Sequence, residues 1–411
     1  MRLGPIALVK SVTLNRILER ENFLTEQNNQ LSVQLGAGTT LHSFMHYPWT
    51  ALTAPTVILG QDADVARSTR AIERVIKAFQ LCWKEEKRPS GSSMWDAIEE
   101  RQKPFVTALS EGNVARLLTM LANLFQEEII WGLGKFDATL LADVKAVADK
   151  SHLQLRITDA LVSLAQAVGA HPLACVEQQG VQAQLNALAV DPTNLLQSIE
   201  RESALDISAP RVGASYGCEI AGQFVTLDSV LHSYSVYRLK QLGASNESSV
   251  AEIGGGFGCL AHLAHRGGLH NYAIYDLPWV NAIQGYYLLM SVPEAQVSLY
   301  GESDAGAQVR VRPFWCFDAL PKQSVDYIIN CDSLPEMSSE TAYGYICKIK
   351  DVVKERFFSI NQEAKSNNLN GHPQNSVPEL VARCGGFKRL SRSIYWMRQG
   401  YAEEVYAVSG T

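Results

Sequence analysis

The sequence predicts an α/β protein with a Rossmann-like sheet, mostly parallel with one antiparallel strand, and an α-helical N-terminal domain. The first observation is a strand, a glycine-rich turn and a helix in succession over 249–267, which is how such sheets begin a nucleotide pocket. The second is the alternation of apolar runs and helical stretches that follows. The third is that the last two apolar runs, 387–394 and 402–408, have no helix between them, so one of them should be antiparallel.

A chain of 411 residues is long enough for two domains. Residues 60–200 are rich in helix formers with apolar residues at helical spacing. We predict residues 1–205 as an N-terminal α-helical domain that covers the substrate or mediates dimerisation, and residues 206–411 as the domain that holds the sheet. Predicted helices of the first domain are 71–83, 95–109, 114–131, 138–148, 157–168 and one from Asp191-Pro192 through Glu202.

The second domain begins with a helix over 227–242 and then alternates strands with helices. Strands are predicted near 249–253, 271–275, 296–300, 310–315, 325–330, 356–360, 387–394 and 402–408. Helices are predicted near 258–267, 279–291, 339–353 and 377–384.

Composition excludes several classes of protein. Hydrophobic residues make up 46% and charged residues 19% of the chain, as in ordered globular proteins. The net charge is −6 and no basic stripe appears, so nucleic acid is not an expected partner. No apolar run is long enough to cross a bilayer. The eight cysteines include no Cys-x-x-Cys pair, which predicts reduced thiols in a cytoplasmic protein.

The glycine turn indicates which nucleotide the pocket would hold. Gly254, Gly256 and Gly258 let the backbone turn sharply and approach a ligand closely. A dinucleotide fingerprint would need a small third residue where this chain has Cys259. The spacing Gly-x-Gly-x-Gly, with Glu252 two residues ahead, instead favours S-adenosylmethionine. Tight glycine turns also end many strands that bind nothing.

Four segments carry a resemblance to a known family. They are 252–258 (Glu-Ile-Gly-Gly-Gly-Phe-Gly), 275–288 with its Tyr-Asp-Leu-Pro start, 330–337 (Asn-Cys-Asp-Ser-Leu-Pro-Glu-Met) and 359–363 (Ser-Ile-Asn-Gln-Glu). Together the segments resemble the bacterial family described as sugar O-methyltransferases, over roughly 90–408. The resemblance implies a class I S-adenosylmethionine-dependent methyltransferase sheet and a sugar acceptor. Plant-type O-methyltransferases share Asp-Leu-Pro, but their His-Asp pair after the fourth strand is missing here.

The predicted cofactor-binding residues follow the carboxyl ends of the strands. The three glycines would pass the methionine tail close to backbone amides, and Glu252 would meet its ammonium or satisfy the amides of the turn. Asp276 would hold the ribose hydroxyls or cap the next helix. The remaining candidates are Leu277 against the adenine, Asp318 and Ala319 at its amino group, and Asn330 and Asp332 at the methyl group and amino-acid tail.

A hydroxyl acceptor needs a base on its proton, or a metal that lowers its pKa. The candidate bases are His232, Glu336, Glu363 and His372. Asp332, Glu336 and Glu363 could instead share a Mg²⁺, whose preferred ligands are oxygens. The sequence leaves metal dependence and homodimerisation open.

The function predicted from these residues is transfer of a methyl group to a hydroxyl of a sugar or glycosylated metabolite. One alternative is an O-methyltransferase for a non-sugar natural product. The other is a non-catalytic module that binds S-adenosylmethionine.

Overall fold

An eight-stranded sheet forms the centre of the fold. The computed structural model describes residues 57–61, 64–85, 87–134, 151–173, 177, 191–363 and 373–408. The strands of this sheet are β4 Ser249–Ile253, β5 Asn271–Asp276, β6 Val297–Ser298, β7 Val309–Pro313, β8 Val325–Cys331, β9 Val353–Gln362, β10 Phe387–Ile394 and β11 Tyr401–Val408.

Across the sheet the strands lie in the order β10-β11-β9-β8-β4-β5-β7-β6. Strands β4 to β9 run parallel to one another, whereas β11 lies antiparallel between β9 and β10. The predicted fold class, including the late reversal, is confirmed. Ile253 at the end of β4 is paired with Tyr275 on one side and Asn330 on the other. The carboxyl ends of β4, β5 and β8 therefore meet, and the site is built there.

Helices connect and flank the strands. They are α1 Val65–Lys84, α2 Met94–Arg101, α3 Lys103–Glu111, α4 Val114–Ala122, α5 Ser151–Ala167, α6 Pro192–Ser203, α7 Leu227–Gln241, α8 Cys259–Arg266, α9 Pro278–Ser291, α10 Trp315–Asp318, α11 Ser339–Val352 and α12 Val377–Cys384. Fully buried side chains of β8, β9 and α11, among them Ile328, Phe357 and Ile346, form one continuous core cluster.

Helix α1 packs directly against α9 of the sheet region. The Arg67 guanidinium donates to the carbonyls of Leu289 and Val292 at the end of α9. The Ser68 hydroxyl lies 2.8 Å from the Tyr286 hydroxyl. All described residues belong to one compact unit, Trp49–Thr411. The domain boundary at 205/206 stays a prediction.

Two of the predicted helices are shorter than the apolar pattern suggested. The 95–109 stretch forms α2 and α3, because Pro104 has no N–H with which to continue α2 past Gln102. The 114–131 stretch forms α4 and then two 3-10 turns, Leu124–Gln126 and Glu128–Ile130. The helix predicted over 138–148 lies outside the described residues.

A second, three-stranded sheet was not predicted. It consists of β1 Val57–Gly60, β2 Ser215–Ile220 and β3 Gln223–Val225, all antiparallel. Glycine in strand β2 weakened its sequence signal, because glycine is uncommon in strands. Gly217 is needed there, since a Cβ at this position would lie 2.6 Å from the Phe224 ring.

No helix among the described residues is both long and apolar enough to span a membrane.

Candidate functional site

A cavity of about 350 Å³ lies at the carboxyl ends of β4, β5 and β8, within the size range of small-molecule sites. Several chain segments that are far apart in sequence form its wall. The described lining residues include Arg88, Pro89, Ser90, Gly91, Ser93, Trp95, Asp96, Glu99, Gly132, Leu133, His232, Glu252, Gly254, Gly255, Gly256, Phe257, Cys259, Tyr275, Asp276, Leu277, Phe314, Cys331, Asp332, Ser333, Glu336, Met337, Ser338, Thr341 and Tyr345.

The glycine turn needs its glycines for two reasons. Gly254, Gly256 and Gly258 have φ values of 71°, 52° and 101°, a region that other residues enter only with strain. A Cβ on Gly254 would lie 2.2 Å from the Ser333 hydroxyl, and one on Gly256 would lie 2.9 Å from the Leu133 carbonyl. These two glycines therefore make room for other parts of the chain, the Ser333 side chain and the Leu133 carbonyl.

Asp276 ends β5 with its carboxylate at the cavity wall. One oxygen accepts from the Gly255 N–H at 2.9 Å and from the Gln284 side chain at 2.7 Å. The other accepts from the Leu277 N–H at 2.8 Å. Burial raises the pKa of Asp276 to about 6, although these three donors act in the opposite direction. The three donors fix the carboxylate in orientation. Leu277, the N-cap of α9, also lines the cavity.

Glu252 lies deeper, on β4, and only 2% of its surface is exposed. It accepts a hydrogen bond from the Tyr272 hydroxyl at 3.0 Å. Burial raises the pKa of Glu252 to about 8, with a further contribution from Asp276 and an opposing one from Tyr272. A cationic ligand group beside this carboxyl would favour its ionised form, and the attraction between the two charges would be strong because little water screens them.

Asp332 follows β8 and lines the cavity with an unusual backbone, φ 63°. Its carboxylate accepts from Arg398 at 2.9 Å and from the Tyr401 hydroxyl at 2.8 Å. Its N–H donates to the Asn361 side chain and to the Ile360 carbonyl. These partners hold a conformation that costs an aspartate about 1–3 kcal/mol.

Four predicted cofactor residues do not line the described cavity, namely Gly258, Asn330, Asp318 and Ala319. Asn330 is fully buried behind the wall, where its amide donates to the Ile253 carbonyl at 2.8 Å. It therefore joins β4 to β8 and does not face the ligand. Asp318 ends the short helix α10 and Ala319 caps it, and neither is among the lining residues.

Of the four candidate bases, His232 and Glu336 line the cavity. Glu363 is not among the lining residues. Arg392 binds its carboxylate at 2.6 Å and lowers its pKa. His372 lies outside the described residues. The Mg²⁺ arrangement is not seen either. Asp332 and Glu363 are bound by different arginines, and no group of three metal-ligating side chains occurs in the described ranges.

Residues 87–96, which we call the strap, supply several of the cavity's lining residues and were not predicted from the sequence. The Ser90 carbonyl accepts from the hydroxyls of Ser338 and Thr341, both at 2.6 Å. Trp95 packs on Trp279 with ring centroids 6.1 Å apart. The only signal of the strap was the Pro-Ser-Gly turn composition at 89–91, which predicts a loop but not its partner.

The cavity wall is acidic. Its described part carries six acidic side chains but one arginine, Arg88, which pairs with Glu99 at 3.7 Å. A ligand with a sulfonium and an ammonium group would be attracted by this wall. A pyrophosphate would place its negative charges against these acidic side chains at low effective dielectric. The charges of the wall therefore fit S-adenosylmethionine better than a dinucleotide.

Comparisons of the sequence with protein-family models and with curated proteins give no match. Among solved structures, the chain is similar to the Burkholderia thailandensis 1,6-didemethyltoxoflavin-N1-methyltransferase with bound 1,6-didemethyltoxoflavin and S-adenosylhomocysteine (16% identity, 44% of this chain and 76% of that chain, TM-score 0.30). It is also similar to the Lactobacillus delbrueckii subsp. bulgaricus ribosomal protein L11 methylase (13%, 44% and 78%, 0.29) and to the [4+2]-cyclase SpnF (12%, 43% and 81%, 0.32). Likeness at this level carries no argument about activity.

Proposed function

We propose that this protein is an S-adenosylmethionine-dependent O-methyltransferase whose acceptor is a hydroxyl of a sugar or glycosylated metabolite. One observation carries the cofactor assignment. The Asp276 carboxylate is fixed by Gly255 and Leu277 at the wall of an acidic cavity, directly beside the glycine turn. A carboxylate oriented in this way suits a pair of ribose hydroxyls.

The remaining cofactor contacts follow from the charges of the wall. Glu252 and Asp332 would face the amino-acid end, where the ammonium lies, and Leu277 and Phe314 offer apolar surface to the adenine. When bound, S-adenosylmethionine supplies an electrophilic methyl group to the acceptor oxygen. The chain contributes alignment of the two reactants and exclusion of water beneath the strap.

We assign the base to His232, because imidazole is uncharged near neutral pH and can accept the proton of a hydroxyl. His232 lies on α7 and is half-buried at the cavity wall. Glu336, in the 3-10 turn Leu334–Glu336, would accept a hydrogen bond from a neighbouring hydroxyl of the acceptor. Support for a sugar acceptor comes from the resemblance of 330–337 and 359–363 to the sugar O-methyltransferase family.

The test combines binding and transfer. Calorimetry should show S-adenosylhomocysteine binding to the wild-type chain. Incubation with methyl-labelled S-adenosylmethionine and a panel of glycosides, read by mass spectrometry, should give a labelled ether. His232→Gln should lower the transfer rate by about 100-fold or more while the cofactor affinity stays within about threefold of wild type.

Each other outcome would favour an alternative function or reject the proposal. Cofactor binding without transfer to any acceptor would support the non-catalytic module. Transfer to an aglycone hydroxyl and not to sugars would support the natural-product alternative. Absence of S-adenosylhomocysteine binding would reject the proposal as a whole.

A further inference from the structure

Two cysteine side chains distant in sequence meet between α11 and α12. The sulfurs of Cys347 and Cys384 lie 3.2 Å apart although the two residues are 37 positions apart in the chain. Both residues are half-buried and both are free thiols. The pair lies outside the cavity lining and has no part in the proposed methyl transfer.

The backbone around Cys384 favours a covalent bond at this point. A disulfide has a sulfur–sulfur distance of about 2.05 Å, so the two sulfurs need to approach by roughly 1 Å from 3.2 Å. Cys384 is the last residue of α12, and Gly385 and Gly386 follow with φ values of 66° and 79°. A helix end followed by two glycines can adjust its direction with little strain.

The surroundings influence how fast the thiols react. Burial raises the pKa of Cys384, while the nearby Lys350 ammonium acts in the opposite direction. A second cation, Arg383, lies 4.0 Å from the Tyr343 ring centroid in the same region. Because the thiolate is the reacting form, reaction should be faster as the pH rises above 7.

We propose that Cys347 and Cys384 are a reversible oxidation site that reacts with small disulfides such as oxidised glutathione. One protein thiolate attacks a glutathione sulfur, the glutathione disulfide bond breaks, and one glutathione leaves as a thiol after taking a proton. The second protein thiol loses its proton and attacks the mixed disulfide, which releases the second glutathione. Two protein thiols are oxidised, and one glutathione disulfide is reduced to two thiols.

The experiment uses the full-length folded chain. The protein is incubated with oxidised glutathione at pH 8, blocked with N-ethylmaleimide, digested without reductant and analysed by mass spectrometry. Labelling of Cys347 and Cys384 should fall at least tenfold, and a peptide pair joined through them should appear and disappear on treatment with dithiothreitol. Cys316, a half-buried thiol of the same chain, should stay labelled.

Two variants separate the pair from general thiol reactivity. In Cys347→Ser, Cys384 should retain one glutathione and form no cross-link, and Cys384→Ser should behave in the mirrored way. A sample unfolded in guanidinium chloride confirms that the reagent reacts with accessible thiols. The proposal is overturned if both thiols of the folded wild-type chain stay labelled, or if each carries its own glutathione.

Discussion

Replacing Asp276 by asparagine tests the cofactor assignment at its most specific contact. The carboxylate already accepts from Gly255, Leu277 and Gln284, so ribose hydroxyls would use its remaining lone pairs. Hydrogen bonds to a charged group contribute about 1.5–3 kcal/mol each. Three protein donors already share the charge, so we take the lower value of about 1.5 kcal/mol for each ribose hydrogen bond. Two such bonds contribute about 3 kcal/mol.

That energy corresponds to a change of about 150-fold in the dissociation constant. Asp276→Ala should show the full loss. Asp276→Asn keeps one acceptor oxygen and loses the charge, which leaves about half of the energy and a change of about 10- to 30-fold. The assay is calorimetry with S-adenosylhomocysteine, together with thermal unfolding to establish that each variant is folded.

Asp326→Asn is the matched control. Asp326 lies at the opposite end of the same sheet and accepts from the N–H and the hydroxyl of Ser249, so its replacement removes similar bonds far from the cavity. Its affinity should equal that of the wild type. A folded Asp276→Ala protein whose dissociation constant stays within threefold of wild type would refute the ribose assignment.

Three further predictions concern neighbouring residues. Because folding raises the pKa of Glu252 to about 8, the free energy of unfolding should fall between about pH 4.5 and 8, by up to ~1.4 kcal/mol per pH unit. The raised pKa of Asp276, about 6, adds to the fall below pH 6. Thermal unfolding from pH 6.5 to 9 should therefore show the fall in wild type and not in Glu252→Gln. Gly254→Ala should lower the free energy of unfolding, measured in urea, by about 2–5 kcal/mol, since its Cβ would lie 2.2 Å from a side-chain oxygen. Gly268, with φ 88° and no atom within 4 Å of a Cβ, is the control, and Gly268→Ala should lower it by about 1–2 kcal/mol. Equal losses would contradict the steric argument. Glu336→Gln should raise the acceptor KM about tenfold. Glu363 pairs with an arginine outside the cavity, so Glu363→Gln should leave this KM within twofold. A larger rise in KM for Glu363→Gln than for Glu336→Gln would remove Glu336 from the acceptor site.

The sheet could be predicted from the sequence because its signals are local. The central strands β4, β5 and β8 are short and mostly apolar. Gly258, the N-cap of α8, and Pro278, in the first turn of α9, mark where these helices begin. The ends of neighbouring parallel strands then meet by topology alone. This is why Glu252 and Asp276 could be assigned to one cavity before the structure was known.

The rest of the site depends on contacts between distant segments, which no local pattern encodes. Nothing near Glu363 in the sequence indicates that Arg392 binds it, and nothing near Asn330 indicates that its amide turns inward to Ile253. The two were predicted from their positions after strands, where polar residues serve structure as often as ligands. The Leu133 carbonyl against Gly256 has no sequence signal at all, because every residue has a carbonyl.

The strap and Leu133 come from the first half of the chain, whereas the glycine turn and Asp276 come from the second. A fragment starting at residue 206 would keep the glycine turn and Asp276 but lose the strap and Leu133. The acidic side chains of the cavity would then be more exposed to bulk water. Recombination between related genes at that point would exchange half a binding pocket. Changes in the strap must therefore remain compatible with the second half of the chain, as at Gly91, where a Cβ would lie 3.0 Å from the Ser338 hydroxyl oxygen.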